Sequence, residues 1–176
     1  MGELVVVTGP PGAGKSSVSE ELAKRWKTSA LVPGDAFFGM IKQGYIPPWL
    51  PQSHRQNAVI IEAAGAAAGR FCDIGFVVFE GVIGPWFLPT FARATGLAYL
   101  HYVVLLPPLD ICIERINSRV DHAFSNMSVT HDLHRAFAAA ALDARHVITD
   151  SDSRPAGLAE LIKGLLGRGT YRYSPP

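Results

Sequence analysis

The sequence has little net charge for its length. Its 176 residues contain 16 lysines and arginines against 15 aspartates and glutamates, a net charge of +1. Nucleic-acid binding normally needs a basic face that neutralises several phosphates. The charge balance therefore argues against a nucleic-acid partner, although a local basic groove would still be compatible with one.

Cysteines are scarce, and the histidines are scattered. Cys72 and Cys112 are the only cysteines, and neither belongs to a CxxC or Cys/His cluster, which is typical of free core thiols in a reducing compartment. None of the six histidines has the spacing of a zinc site. No apolar stretch reaches the roughly 18 residues that a membrane span needs, and no charged leader precedes Leu4. We therefore expect a cytoplasmic protein without a membrane partner.

Short apolar runs alternate with longer helical patterns along the chain. The strand-like runs are Leu4 to Thr8, Ala30 to Val32, Phe76 to Phe79, Leu100 to Leu105 and His146 to Thr149. Such runs are typical of parallel strands that are buried on both faces. The alternation predicts a single α/β domain over residues 1–176, with a doubly wound, five-stranded parallel sheet and flanking helices. Ligands of such sheets bind outside the carboxyl ends of the strands.

Two long irregular segments interrupt this alternation. Residues of about 36–55 are rich in aromatics, glycine and proline, and residues of about 121–130 contain His, Ser and Asn. Long irregular segments are often binding loops or lids. We expect the first to contact a substrate and the second to form a short lid, and we expect the tail, 167–176, to run over the surface.

A glycine-rich motif of the form G-x-x-x-x-G-K-[S/T] follows the first strand-like run and precedes an amphipathic helical pattern. This context predicts a phosphate-binding loop, in which glycine backbones and a helix N-terminus converge on phosphate oxygens. Lys15 would reach the β- and γ-phosphates, the Ser16 hydroxyl would ligate Mg²⁺, and Ser17 would help to close the loop. The nucleotide-binding residues are thus Gly9, Pro10, Pro11, Gly12, Ala13, Gly14, Lys15, Ser16 and Ser17.

Two carboxylates follow predicted strands. Asp35 could accept the proton of an attacking hydroxyl, or it could cap the helix that starts near Ala36, and the two roles can coexist. Glu80 lies where an acidic residue often orients a Mg²⁺-bound water, and either a metal role or a substrate contact is open to it. Trp86 could line an acceptor pocket or pack in the core.

Four arginines are further candidates. Arg115 and Arg119 share one helix face, where they could stabilise a transferring phosphoryl group or form a solvated face with Asp110 or Glu114. Arg135 is a weaker candidate for the same role. Arg55, together with His54, could bind an anionic or polar acceptor. Phe38 belongs to an aromatic segment that suits an acceptor with an apolar or ring face, or that folds on itself.

With these residues in place, the chain resembles the small-molecule kinases of the P-loop superfamily. It is most similar to the group of chloramphenicol phosphotransferase, zeta toxins and related AAA-type small kinases. The resemblance covers nearly the whole chain and includes residues 9–16, Asp35, the R-x-x-x-R helix and the closing strand-loop-helix over 146–166.

The resemblance implies roles for particular residues. Asp35 would be the base or hydroxyl-orienting group, Arg115 would flank the adenine, and Arg119 would contact phosphates. The loop over 150–154 would lie near the adenine. Glu80 departs from the more usual aspartate, which leaves metal coordination there open.

The sequence therefore predicts an ATP- and Mg²⁺-dependent phosphotransferase, a monomer or homodimer, that acts on a hydroxyl of a small molecule such as an antibiotic or sugar. Lys15, Asp35 and Arg119 would be its catalytic residues. Two alternatives remain open at this stage: a kinase for nucleic-acid ends, and a nucleotide-dependent switch with little chemistry.

Overall fold

Five parallel strands form the sheet in the computed structural model, which describes residues 2–118 and 127–175. Their order is β2-β3-β1-β4-β5, and a short sixth strand pairs antiparallel with β4. The strands are β1 (Leu4–Thr8), β2 (Ser29–Pro33), β3 (Phe76–Glu80), β4 (Leu100–Leu105), β5 (Val147–Ile148) and β6 (Arg172–Tyr173). The predicted doubly wound parallel sheet is confirmed, and β1 lies at its centre.

The described ranges contain seven α-helices. They are α1 (Lys15–Ala23), α2 (Gly34–Phe38), α3 (His54–Phe71), α4 (Leu88–Thr95), α5 (Leu109–Asn117), α6 (Met127–Ala139) and α7 (Pro155–Leu166). Two 3-10 turns, Pro51–Ser53 and Ala144–His146, precede α3 and β5. None of these helices is long and apolar enough to cross a membrane.

Alternate residues of the central strands pack into two different cores. Leu4 and Val6 of β1 belong to one core cluster with residues of α3, α4 and α6, whereas Val5 and Val7 belong to a second cluster with residues of α1 and α7. Side chains of successive strand residues point to opposite faces, so a strand between two helical layers must be apolar throughout. The continuous run Leu4–Val7 is therefore the sequence signal of a three-layer fold.

The lid prediction is tested only in part. Residues 121–126 lie outside the described residues, whereas 127–130 form the first turn of α6 rather than a loop. Val129 and Thr130 are buried there. The apolar spacing from Val129 through Leu133 to Phe137 gives this turn a packed face, which explains why it is helical.

The prediction for the C-terminal tail is wrong. Arg172 and Tyr173 pair with His101 and Leu100 of β4, and the backbone N–H of Tyr102 donates to the Tyr171 carbonyl at 2.8 Å. Tyr171 is 2% exposed and packs in the core cluster on the α1 and α7 side. The tail occupies the edge of β4 that β5, only two residues long, leaves open.

This position gives a stability prediction. Tyr171→Ala should lower the free energy of unfolding by about 3 kcal/mol, because it removes a large buried side chain and leaves a cavity. Leu161→Ala, on α7 and 48% exposed, is the matched control and should cost about 1 kcal/mol or less. Urea unfolding followed by circular dichroism measures both. Equal losses for the two variants would show that the tail is not part of the core.

Candidate active site

A cavity of about 590 Å³ opens at the carboxyl ends of β1, β2 and β3. The loop after β1 supplies one side of it, the residues after β2 and β3 supply the floor, and α3 and α6 supply the opposite wall. The loop residues that line it are Pro11, Gly12, Gly14, Lys15 and Ser16. The cavity therefore lies where the doubly wound topology predicts a ligand site.

The phosphate loop has a backbone that requires glycine at two positions. Gly9 and Gly12 have φ angles of 143° and 79°. A Cβ at Gly9 would lie 2.1 Å from the Leu105 carbonyl oxygen, and a Cβ at Gly12 would lie 2.2 Å from the Cys112 carbonyl oxygen. No side chain fits in either place, so the loop passes directly against β4 and α5.

Helix α1 begins at Lys15, directly after the loop. Its N-cap residue is Gly14, in the left-handed conformation, and no side chain in the described ranges caps this end. The first turn of a helix leaves N–H groups without intrahelical partners, and the helix dipole adds partial positive charge there. The Lys15 ammonium group donates to the Pro10 carbonyl at 3.1 Å, which holds it along the loop. Together these groups can bind an anion such as a phosphate chain.

Asp35 and Glu80 both line the cavity, one after β2 and one at the end of β3. The capping alternative for Asp35 is wrong, because α2 begins at Gly34 and its N-cap residue is Pro33. Asp35 lies one residue further on, within the first turn, and is exposed to the cavity side. Glu80 is half-buried and pairs in the sheet with Val7 and Pro33.

The same cavity contains the oxygen donors that a magnesium ion would need. In the part of the chain that the structure describes, no cluster of three or more His, Cys, Asp or Glu side chains is placed to hold a metal. Magnesium that binds with a nucleotide usually takes one or two protein oxygens and fills its other positions with phosphate oxygens and water. The Ser16 hydroxyl, in the loop that lines the cavity, fits this requirement, and Glu80 is a candidate for a second oxygen.

Tyr45 contributes an aromatic side chain to the lining of the cavity. Burial raises the pKa of its hydroxyl, and the negative charge of Asp35 raises that pKa further. The second effect places the two side chains within electrostatic reach of each other. The tyrosine hydroxyl consequently remains a hydrogen-bond donor at neutral pH.

Arg115 joins the phosphate loop to the loop after β5. Its guanidinium group donates to the Ser151 carbonyl at 2.8 Å and to the Ala13 carbonyl at 3.5 Å. The alternative of a solvated face paired with Asp110 or Glu114 is therefore wrong for this residue. Hydrogen bonds from Ser153 hold the pKa of Asp150 below its usual value, in a compact turn of the same loop.

The structure thus brings together many of the predicted site residues. Those that line the cavity are Pro11, Gly12, Gly14, Lys15, Ser16, Asp35, Phe38, Glu80 and Trp86. Those outside its lining are Gly9, Pro10, Ala13, Ser17, Arg55, Arg115 and Arg135. Arg55 and Arg135 are exposed, and Arg119 lies outside the described residues. The roles of all these residues remain predictions.

Sequence reasoning missed the wall that α3 contributes. Asn57, Ile60, Ile61 and Ala64 of this helix line the cavity. They recur at spacings of three and four residues and so share one helix face. A polar Asn within an otherwise apolar stripe was the available signal, because a polar residue on a buried helix face needs a partner.

Comparisons with known proteins agree with this architecture. A family model described as AAA domain matches residues 5–130. A tunicamycin resistance protein from Deinococcus radiodurans is 19% identical with a TM-score of 0.70, and the alignment covers 95% of this chain and 96% of that chain. A sugar kinase from Janibacter sp. HTCC2649 is 16% identical with a TM-score of 0.73, and the alignment covers 95% of both chains. An APS kinase from Mycobacterium tuberculosis is 20% identical with a TM-score of 0.68, over 94% of this chain and 98% of that chain.

At these identities the likeness to solved structures shows the fold, which is that of the P-loop kinases. No curated protein matches the sequence of the chain.

The close approach at Gly12 gives a prediction for nucleotide binding. Gly12→Ala should weaken the affinity for a fluorescent ATP analogue at least about tenfold, because the added Cβ forces the loop away from the Cys112 carbonyl. Gly44→Ala is the matched control, since Gly44 also has a positive φ, 71°, but no atom lies within 4 Å of its added Cβ. That variant should lose some stability and keep its affinity. An unchanged affinity for Gly12→Ala would mean that nucleotides do not use this loop.

Proposed function

The chain belongs to the AAA domain family, and on that premise we propose that it is an ATP-dependent kinase for a hydroxyl group of a small molecule. The observation that carries the proposal is the continuity of the cavity, which is lined by the phosphate loop at one end and by Asp35, aromatic and aliphatic side chains at the other. A nucleotide-binding switch needs the first end alone. The second end is what a phosphoryl acceptor requires.

The similar structures support the same reaction class. They include a sugar kinase and a complex of APS kinase with AMPPNP and APS, and a further similar structure is a shikimate kinase in complex with shikimate. Each of these kinases is named for a small molecule. Within the described ranges, Lys15 is the only cation that lines the cavity, which favours a small acceptor over a polynucleotide end.

The proposed reaction follows from where the groups lie. The N–H groups at the start of α1 and the Lys15 ammonium would bind the β- and γ-phosphates of ATP. Bound Mg²⁺, held through the Ser16 hydroxyl, would supply further neutralisation of phosphate charge. An acceptor hydroxyl near Asp35 would attack the γ-phosphorus and give its proton to that carboxylate. The new oxygen–phosphorus bond would form as the bond to the β,γ-bridging oxygen breaks, and ADP would leave.

Two arginines have roles in this proposal that depend on the resemblance. Arg115 already holds the phosphate loop to the loop after β5, through the Ala13 and Ser151 carbonyls. This position is compatible with the expected contact to the adenine of ATP. Arg119 would clamp the transferring phosphoryl group, a role that stays a prediction.

The proposal predicts that Asp35→Asn and Lys15→Ala fail in different ways. Asp35→Asn should lower the rate of phosphorylated-product formation about 10²- to 10⁴-fold, because proton acceptance is lost, and should leave the affinity for AMP-PNP unchanged. Lys15→Ala should weaken AMP-PNP binding as well. The measurement is ATP consumption across a panel of uncharged and anionic small alcohols, with mass detection of phosphorylated products.

Two outcomes would contradict this proposal. ATP turnover without a phosphorylated compound from any member of the panel would favour a hydrolase or a switch. Full phosphotransfer by Asp35→Asn would show that the carboxylate is not the base.

A further inference from the structure

Residues 44–48 form an irregular stretch that has few hydrogen-bond donors of its own. Gly44 has a positive φ of 71°, and Pro47 and Pro48 have no backbone N–H group. The stretch belongs to none of the helices and strands of the described chain. Because backbone polar groups need hydrogen-bond partners, its position depends on side chains from elsewhere in the chain.

Gln56, in the first turn of α3, supplies both partners of the Ile46 backbone. The backbone N–H of Ile46 donates to the side-chain oxygen of Gln56 at 3.0 Å, and the side-chain nitrogen of Gln56 donates to the Ile46 carbonyl at 2.7 Å. A primary amide can pair with the backbone in this way because its oxygen accepts and its nitrogen donates. The two hydrogen bonds attach Ile46 to the start of α3.

Pro48 is attached to the same part of the chain. Its carbonyl accepts from the Ser53 hydroxyl at 2.9 Å and from the Asn57 side-chain nitrogen at 2.7 Å. Ser53 and Asn57 are both buried. The backbone is therefore fixed on both sides of Pro47, once by Gln56 and once by these two residues.

The residues that flank these two attachments line the cavity. Tyr45 precedes Ile46 and Trp49 follows Pro48, and we call residues 45–49 the anchored segment. Tyr45, Pro48 and Trp49 line the same cavity as Asp35. Burial raises the pKa of the Tyr45 hydroxyl, and the charge of Asp35 raises it further, so Tyr45 lies within electrostatic reach of that carboxylate. A ligand beside Asp35 would therefore meet the anchored segment.

Gln56 itself lies outside the lining of the cavity. It is half-buried, whereas its neighbour Asn57 belongs to the lining. Gln56 can therefore influence a ligand through the anchored segment rather than by touching the ligand. A wall that is ordered in advance loses less conformational freedom when a ligand binds, which increases the affinity.

We propose that Gln56 is a positioning residue for the phosphoryl acceptor, because its two hydrogen bonds to Ile46 keep Tyr45 and Trp49 in the wall of the cavity that Asp35 also lines. The inference rests on the proposed function for the identity of the ligand as an acceptor. The attachment of the segment, and its effect on a group that reaches this wall, do not require phosphotransfer.

Two nucleotides test this role without a known acceptor. AMP-PNP ends at its γ-phosphate, whereas the γ-anilide of ATP carries a phenyl group on that phosphate, where an acceptor would become bonded. Gln56→Met removes both hydrogen bonds and keeps the side-chain length and helix propensity. It should weaken γ-anilide binding about tenfold, because the segment must then be ordered on binding, and change AMP-PNP affinity less than about twofold. Calorimetric titration with Mg²⁺ present measures both affinities.

Gln52→Met is the matched control. Gln52 is exposed in the 3-10 turn before α3 and lies outside the lining of the cavity, so both affinities should stay unchanged. Thermal unfolding shows whether each variant is folded. If Gln56→Met unfolds, Gln56→Glu replaces it, since a carboxylate accepts from the Ile46 N–H but cannot donate to the Ile46 carbonyl. This variant should show the same selective loss of γ-anilide binding.

Fluorine NMR of the protein labelled with fluorotryptophan observes the anchored segment directly. The three tryptophans are assigned with single Trp→Phe variants. Gln56→Met should shift or broaden the Trp49 signal. The Trp26 signal should stay unchanged, because that ring stacks on Phe76 at 3.6 Å between centroids, in the core cluster on the α1 and α7 side. A general loss of stability would not select one tryptophan of the folded protein.

Four results for Gln56 would each overturn the inference. They are an equal loss of affinity for both nucleotides, an unchanged γ-anilide affinity, a γ-anilide that the unaltered protein does not bind although it binds AMP-PNP, and an unmoved Trp49 signal. With an acceptor from the compound panel, Gln56→Met should raise the KM for that acceptor about tenfold and leave kcat within about twofold. A fall in kcat alone would also overturn the inference.

The same measurements separate the inference from the proposed function. Selective loss of γ-anilide binding in Gln56→Met, together with a panel that yields no phosphorylated product, would keep the positioning role and remove the kinase. Phosphorylated product with equal responses of the two nucleotides would keep the kinase and remove the positioning role.

Discussion

Two carbonyl oxygens, one at the end of β4 and one within α5, fix the path of the loop after β1. The Leu105 oxygen lies 2.1 Å from where a Cβ of Gly9 would be, and the Cys112 oxygen lies 2.2 Å from where a Cβ of Gly12 would be. The loop is therefore packed backbone against backbone at both glycines. Since backbone contacts of this kind leave little conformational freedom, the loop after β1 should hold this shape without a bound phosphate.

The floor of the cavity is held by a second set of buried contacts. The Thr8 hydroxyl oxygen, at the end of β1, accepts from the Ile83 backbone N–H at 2.8 Å. The Tyr102 hydroxyl, in β4, donates to the Ile83 carbonyl at 2.8 Å, and burial raises the pKa of this tyrosine. The backbone N–H and the carbonyl of Ile83, which follows β3, are thus both hydrogen-bonded to side chains of the central strands. The position of Ile83 in the cavity lining is thus determined by the sheet.

The fold combines local sequence patterns with contacts between distant residues, and only the local patterns could be predicted from the sequence. The strand runs and the glycine motif are local patterns, because burial on both faces demands a continuous apolar run and the phosphate loop demands glycine at set positions. Strands β1 and β4 begin and end at the predicted residues. The bonds of Arg115 to Ala13 and Ser151 could not be predicted, because they depend on how α5 is placed against two loops that are distant in sequence.

The same distinction applies to the tail and to the α3 wall. Arg172 and Tyr173 are a two-residue strand, too short for a periodic signal, and their pairing exists because β5 leaves part of β4 uncovered. Asn57 is a polar residue on the buried face of the Ala-rich helix α3, and its structural role depends on its hydrogen bond to the Pro48 carbonyl. Contacts between side chains and distant backbone carry no fixed spacing, so sequence patterns do not report them.

The two ends of the cavity consequently differ in whether backbone or side-chain groups determine their structure. The end formed by the loop after β1 consists of backbone groups and one lysine, so its structure depends on the residues of the glycine-rich motif. The other end is lined by side chains of α3, α6 and the segment over 39–49, which are separate in sequence from the loop after β1. One fold can therefore serve acceptors of different charge, and the identity of the acceptor must be read from the wall of the cavity rather than from the motif.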